Sequence, residues 1–371
     1  MRIVFSTDQI YLHGGIEKVM AQKANYFADV LGYEVIILTT EQKQHAPCYD
    51  LSSNIQLIDL NINYKREKSF VHPQNLAKVP MHFMRWIQVL RKHKPQHLIV
   101  CNYAFDFYWT PFLFSKIAKY KEYHSSRYLV QQARANAKGF LQMGYALQSA
   151  VERRYTKLIL LNTSETEFYS SAHKAIIPNP ISRLPQQAKL ESTQAIAAGR
   201  LAPVKGFDAL IAIWAKVVEL EPTWTLSIYG QGEPGYVAQL QAQIRQLNLE
   251  KHVFIREAVP NLQARMLDYS MYLMTSHTEC FPMVLLEAQA AGLPCVSYDC
   301  PTGPAHILSS DQDGFLVSNQ NQEAFVEKVL FLIRNPEIRQ QLGANAKKTV
   351  QRFSLETVMQ HWQDMLKIHL Y

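Results

Sequence analysis

Short apolar segments alternate with amphipathic stretches along this chain, and that alternation constrains the fold more than any other feature. Residues 2–6 are apolar, a loop with Gly14 and Gly15 follows, and residues 16–31 have the spacing of a helix. Residues 34–39 form the next apolar segment. This order predicts a βαβ unit, and therefore a parallel sheet covered by helices.

The same alternation begins again in the second half, which predicts two α/β domains. Further strands are expected at residues 55–60, 97–101, 158–161, 195–198, 224–229, 253–255, 272–275 and 294–298. Pro178 and Pro180 form a stiff connector, so we place the domains at residues 1–180 and 181–354. Such sheets bind ligands at the carboxyl ends of their strands, and we expect two facing Rossmann-like halves with a cleft between them.

Composition is that of an ordinary globular protein, with 371 residues of which 48% are hydrophobic. No apolar run approaches the roughly 18 residues of a membrane span, and the first residues do not resemble a signal peptide. The five cysteines show neither zinc spacing nor a disulfide framework, so we expect a reduced, cytoplasmic protein.

Positive charge is concentrated in the first half of the chain. Residues 1–180 contain 22 Lys and Arg against 13 Asp and Glu, a net charge of +9, whereas the remainder has 16 against 18. This favours a negatively charged partner such as lipid phosphate, an anionic membrane or an acidic glycan, although a solvated surface explains it equally well. Residues 75–94 have a helical apolar stripe, which fits a membrane surface or, more often, the core face of a covering helix.

Two glutamates eight residues apart, Glu279 and Glu287, flank a predicted helix start. Proline is favoured at the first helical position, so the helix should begin near Pro282 and end at Gly292. The amides of Met283, Val284 and Leu285 would then point out of the helix N-terminus, where a phosphate binds well. Carboxylates on both sides of an anion site suit a nucleotide-sugar.

Other candidate groups follow predicted strands. Arg200 and Lys205 come after the strand at residues 195–198 and can grip phosphate, although both can be ordinary surface cations. Gly14 and Gly15 allow close approach of a ligand or simply form a tight turn. His124 follows a strand end, where a lone histidine is more often structural.

Two further turns are weaker candidates. After the strand at residues 294–298, the amides of Thr302 and Gly303 are placed to contact a sugar or a phosphate. Asp311 and Asp313 resemble a paired-aspartate metal motif, but we interpret them as a surface turn before a short strand. We therefore predict no metal site.

Together these motifs resemble glycosyltransferase family 4, which has the two-domain GT-B fold. The matching segments are Gly14-Gly15-Ile16-Glu17, Gly199-Arg200, Lys205-Gly206, Gly230-Gln231-Gly232, residues 276–287, Gly292-Leu293-Pro294, residues 299–304 and Gly314-Phe315-Leu316-Val317. The C-terminal set is specific in order and spacing. The resemblance implies that residues 355–371 form a helix returning to the N-terminal domain.

The resemblance also implies a retaining transferase that uses a nucleotide-sugar, usually a UDP-sugar, as its substrate, with no cofactor and no metal. Arg200 and Lys205 would neutralise the diphosphate, which Gly15 would approach from the other domain. Glu287 would hold the ribose, and the base would lie near Arg256 and Glu257. The donor sugar would be contacted by Glu279, by His124 and by the amides from Phe281 through Met283 to Val284.

The implied setting is capsule, lipopolysaccharide or lipid-linked oligosaccharide synthesis. A glycan or lipid-linked acceptor would be the second substrate, and the enzyme would be cytoplasmic or peripheral on the inner face of the cytoplasmic membrane. Nucleic acid is not an expected partner. Two alternatives stay open: a sugar-nucleotide epimerase of the same fold, and a non-catalytic partner subunit.

Overall fold

A computed structural model describes residues 1–102 and 104–368, apart from the side chain of Gln132. The chain divides into two compact units. Unit 1 consists of Met1–Pro180 and the end of the chain from Val358 onward, and unit 2 is Ile181–Thr357. Among the described residues, every helix is too short or too polar to cross a bilayer.

Unit 1 contains a fully parallel sheet of seven strands in the described residues, in the order β3-β2-β1-β4-β5-β6-β7. The strands are β1 Arg2–Thr7, β2 Glu34–Thr39, β3 Ile55–Asp59, β4 His97–Val100, β5 Ala118–Glu122, β6 Lys157–Leu160 and β7 Lys174–Ile176. The connecting helices are α1 Gly15–Asn25, α2 Pro73–Leu76, α3 Val79–His93, α4 Asp106–Trp109, α5 Tyr128–Ala135 and α6 Phe140–Glu152. A π-helical turn, Tyr26–Val30, extends α1.

Unit 2 repeats the architecture with six parallel strands in the described residues, ordered β10-β9-β8-β11-β12-β13. They are β8 Gln194–Ala198, β9 Thr225–Tyr229, β10 Val253–Arg256, β11 Met271–Met274, β12 Cys295–Asp299 and β13 Gly314–Ser318. The helices are α7 Phe207–Leu220, α8 Pro234–Gln246, α9 Leu262–Arg265, α10 Met283–Ala291, α11 Gln322–Arg334 and α12 Pro336–Thr349. The last helix, α13 Leu355–Lys367, begins in unit 2 and continues in unit 1.

Each unit has its own hydrophobic core. In unit 1, the strands pack against Trp86 and Leu90 of α3 and Phe107 of α4. In unit 2, they pack against α7 and α11, with Trp214 fully buried. Strands covered on both faces lose the alternation of an exposed sheet, which is why the sequence shows most of them as apolar runs.

The strands expected from the sequence are present to within about two residues, and the segment at 75–94 needs a correction. It is two helices, because α2 ends at Leu76 and α3 begins at Val79 with Pro80 in its first turn. On α3, the buried residues His82, Trp86 and Leu90 share one face. The stripe is therefore the core face of a covering helix.

A buried ion pair joins α1 to β5 in unit 1. The ammonium of Lys23 donates to a carboxylate oxygen of Glu122, and both side chains are almost completely buried. Lys23 also lies 4.8 Å from the ring centroid of Trp362, on α13. Burial raises the pKa of Glu122, but the charges and hydrogen bonds of Lys23 and His124 together outweigh it, and the net pKa is lowered.

Candidate functional site

The chemistry-bearing loops of unit 2 follow adjacent strands. The order β9-β8-β11-β12 places β8 beside β11, and the connections from these two strands run in opposite directions along the sheet. Such a reversal leaves a crevice at the carboxyl ends of the two strands, where ligands of open parallel sheets bind. The loop after β8 carries Lys205, and the loop after β11 carries Glu279.

Lys205 and Glu279 meet at this position. The ammonium nitrogen of Lys205 lies 2.5 Å from Oε1 of Glu279, although 74 residues separate them in sequence. The hydroxyl of Ser276 donates to the same oxygen at 2.7 Å. Both members of the pair are largely but not fully buried, with 22% and 11% of their side chains exposed. A cation and a carboxylate are therefore fixed together at an accessible point of the sheet edge.

The backbone of Glu279 is held by the loop after β12. Its N–H donates to the carbonyl of Pro301 at 2.8 Å, and its carbonyl accepts from the N–H of Thr302 at 2.7 Å. The prediction that the Thr302 amide contacts a ligand is therefore wrong, because this amide is already used. Instead, Thr302 positions Glu279. Gly303 lies so close to the carbonyl of Cys280 that a Cβ would stand 2.6 Å from it.

Helix α10 begins where the sequence indicated, with two corrections. Pro282 is the N-cap, one residue before the first helical position. The amide of Leu285 donates to the carbonyl of Pro282 at 3.1 Å, so this amide is not free for an anion. Met283 and Val284 stay predicted phosphate donors. Glu287 is 5% exposed on the second turn of the helix.

The loop after β8 also carries Arg200, and its conformation is set by close packing. Arg200 is exposed, and no ion pair with it is found among the described residues. The loop ends at Gly206, which has φ +64° and caps α7. A Cβ at Gly206 would stand 2.2 Å from the carbonyl oxygen of Thr275. The loop carrying Lys205 therefore packs directly against the loop that leads to Glu279.

Gly206→Ala should lower the free energy of unfolding by roughly 2–4 kcal/mol, since it combines left-handed strain with a backbone clash. Urea unfolding of the purified variant measures the change. Gly235→Ala is a matched control, because nothing lies within 4 Å of a Cβ at that position. Equal urea midpoints of unfolding for Gly206→Ala and the wild type would contradict the close packing of the Lys205 loop against the loop that leads to Glu279.

In unit 1, the corresponding strand reversal lies between β1 and β4. After β1, Gly14 caps α1 in an extended conformation and Gly15 is the first helical residue. After β5, Nε2 of His124 lies 3.4 Å from Oε2 of Glu122, whose other oxygen accepts from Lys23. A buried carboxylate therefore lies beside the histidine, and the contact of His124 with a donor sugar stays a prediction.

Two other sequence interpretations can be placed. Arg256 ends β10, the edge strand two positions from β8, and Arg256 and Glu257 are exposed, so their base contact stays a prediction. Asp313 does not lie on the surface of its turn, because its side chain is fully buried. Its oxygens accept from the N–H of Ser309 and the hydroxyl of Thr349, both at 2.8 Å. It is a structural residue of unit 2.

The sequence did not indicate the contacts that hold the site residues. Glu122 and Lys23, beside His124, were missed, and the available signal was a lysine among the apolar residues of one face of α1. Cys300 was not assigned a role. Burial, with a further contribution from Glu279, raises the pKa of its thiol to about 12, so it stays neutral beside the ion pair.

The comparison with protein families matches residues 181–349 to glycosyl transferases group 1. Over 216 residues, the chain is 29% identical to an uncharacterized glycosyltransferase of Haemophilus influenzae, covering 57% of this chain and 61% of that one. Over 188 residues, it is 30% identical to the amylovoran biosynthesis glycosyltransferase AmsD of Erwinia amylovora, covering 51% and 52%. The chain therefore spans little more than half the length of these curated relatives.

Solved structures match over nearly the whole length. Sucrose-phosphate synthase from Thermosynechococcus elongatus has a TM-score of 0.81 at 17% identity, over 99% of this chain and 98% of that one. HepE of Anabaena, in complex with UDP-glucose, has a TM-score of 0.75 at 18% identity, over 99% and 100%. At this identity the likeness concerns the fold. The predicted α/β class, with two Rossmann-like units and parallel sheets as in GT-B, is confirmed.

Proposed function

We propose that this protein is a retaining glycosyltransferase of family 4, which moves a sugar from a UDP-sugar to a glycan or lipid-linked acceptor. The observation that carries the proposal is the Lys205–Glu279 pair at the β8–β11 strand reversal, just before α10. The match of residues 181–349 to glycosyl transferases group 1 supports the reaction class. The similarity to AmsD of amylovoran biosynthesis supports a role in surface polysaccharide synthesis.

The charges of the site suit the bond that breaks. Cleavage between the anomeric carbon and the phosphate oxygen leaves negative charge on the departing diphosphate and positive charge on the sugar. Lys205 and Arg200 would stabilise the diphosphate, together with the amides of Met283 and Val284 at the start of α10. Because Glu279 already holds the Lys205 ammonium in place, little reorganisation is needed when the diphosphate arrives.

The remaining groups would orient the donor. Glu279 and the backbone from Phe281 to Val284 would contact the sugar, and the buried carboxylate of Glu287 would bind the ribose hydroxyls. From unit 1, Gly15 would approach the diphosphate and His124 would contact the sugar. No step of this scheme uses a metal or a cofactor, and the protein would act in the cytoplasm. The acceptor hydroxyl finally forms the new bond to the anomeric carbon, and its proton passes to the departing diphosphate.

Release of UDP from a panel of UDP-sugars, with a chelator present, tests the reaction. We expect slow release from one donor, because water replaces the missing acceptor, and we expect Glu279→Ala and Lys205→Ala to lower its rate strongly. A parallel assay for new UDP-sugars separates transfer from epimerisation. Binding of no nucleotide-sugar of any kind, measured by calorimetry, would contradict the proposal and leave the non-catalytic partner subunit.

A further inference from the structure

Helices α5 and α6 of unit 1 expose an unusual amount of apolar surface. On α6, the exposed fractions are 90% for Phe140, 69% for Leu141, 66% for Met143 and 56% for Leu147. The first two turns of this helix are exposed on nearly all sides. Helix α5 adds three further exposed apolar side chains, Tyr128, Leu129 and Val130. We call the helical pair at residues 128–151 the α5–α6 surface. Large apolar patches of this kind mark interaction sites.

Side-chain contacts join the two helices of the α5–α6 surface. The guanidinium of Arg134 on α5 donates to the side chains of Gln148 and Ser149 on α6, at 2.9 and 2.8 Å. It also lies 4.8 Å from the ring centroid of Tyr145. These contacts join the second half of α6 to α5. The exposed side chains at the start of α6 take no part in them.

Charge on this surface has one sign. Residues 128–151 contain no Asp or Glu, and their charged residues are Arg134 and Lys138. The next carboxylate, Glu152, is buried and paired with Arg127. At the end of α6, Arg153 and Arg154 are exposed. Apolar side chains beside basic ones, within a half of the chain that carries a net +9, are complementary to the interface of an anionic membrane.

We propose that the α5–α6 surface docks this protein on an anionic lipid bilayer, with Phe140, Leu141 and Leu147 inserted among the lipids. An isologous contact with a second copy would bring the basic residues of the two copies together, which disfavours that occupant. The α5–α6 surface belongs to unit 1, whereas the Lys205–Glu279 pair belongs to unit 2. Vesicle binding is measured without sugar transfer, so docking is tested separately from the proposed activity.

Sedimentation with vesicles tests the docking. The wild type should bind vesicles of phosphatidylcholine and phosphatidylglycerol, and binding should weaken as salt rises. The variant Leu141→Asp/Leu147→Asp should bind at least about tenfold more weakly, because two inserted side chains become charged. Leu220→Asp is the matched control, as Leu220 is 56% exposed at the end of α7 in unit 2, and it should bind like the wild type.

A second measurement locates the contact. The tryptophan fluorescence of Phe140→Trp should be quenched by brominated phosphatidylglycerol vesicles. The fluorescence of Leu220→Trp should be quenched no more than that of the wild type. Equal vesicle binding by the wild type and Leu141→Asp/Leu147→Asp would overturn the proposal. So would a wild-type dimer, seen by sedimentation velocity without lipid, that the double variant converts to a monomer, because the surface would then belong to a second copy.

Discussion

Replacing Lys205 with alanine is expected to lower the rate of sugar transfer by roughly 10²–10³, the scale of one preorganised electrostatic contact. The variant loses the cation that would neutralise the departing diphosphate. It also leaves the Glu279 carboxylate, 11% exposed, without its ammonium partner. Both changes place uncompensated negative charge where more of it develops during the reaction. Steady-state UDP release with the donor identified by the panel measures the effect.

Two comparisons make the Lys205 result specific. Lys216→Ala removes an exposed lysine from α7 and should turn over like the wild type. Lys205→Arg retains a positive charge and should recover part of the rate, although a guanidinium does not reproduce the compact geometry of the ammonium. Near-wild-type turnover in both Lys205→Ala and Arg200→Ala would show that the loop after β8 does not neutralise the diphosphate.

Replacing Lys23 with methionine is expected to lower the free energy of unfolding by about 3–5 kcal/mol, the cost of leaving a buried charge without its partner. The carboxylate of Glu122 would keep His124 and the thiol of Cys101 beside it but lose its ammonium partner, within a site that solvent barely reaches. Lys23→Met/Glu122→Leu should recover much of the loss, since neither charge is then buried. Chemical denaturation of the three proteins measures these differences, and Lys216→Met serves as the exposed-lysine control.

The same pair has a defined pH dependence. The pKa of Glu122 is lower in the folded protein than in the unfolded chain, so the unfolded chain binds its proton first as pH falls. The stabilisation is complete above the unfolded value, roughly pH 4.5, and decreases as pH falls through the folded pKa. The wild type should therefore lose stability below about pH 5 faster than Lys23→Met/Glu122→Leu. Parallel pH profiles would show that the pair contributes nothing.

The strands of unit 2 could be predicted because most of their residues are apolar, as in β11 and in β8 after Gln194. Strand β5 is different, since its sequence contains Lys119, Lys121 and Glu122, all buried. Lys121 is satisfied by backbone carbonyls, and burial lowers its pKa to about 8. Such compensation depends on tertiary contacts, and an apolar pattern does not indicate it.

The candidate site, too, could be predicted only in part, because its contacts form only in the folded protein. The sequence indicated Lys205 and Glu279 separately, each after a strand, yet gave no reason to pair them. Their contact depends on β8 lying beside β11, an adjacency that skips two intervening strands. The roles of Thr302 and Leu285 were misassigned for a related reason, because each amide is used in a hydrogen bond that only the folded loops create.

The path of α13 has a consequence for how the protein is made. Trp362, which covers Lys23 and lies edge-on to Phe27 at 6.5 Å between ring centroids, is translated long after the rest of unit 1. At about 5–20 residues per second, the ribosome needs roughly 10–40 s to pass from Pro180 to Trp362. During that interval the Lys23–Glu122 region has no indole over it. Unit 2 is a continuous segment and can complete its core during synthesis. Unit 1 cannot bury Lys23 under Trp362 until α13 has been translated.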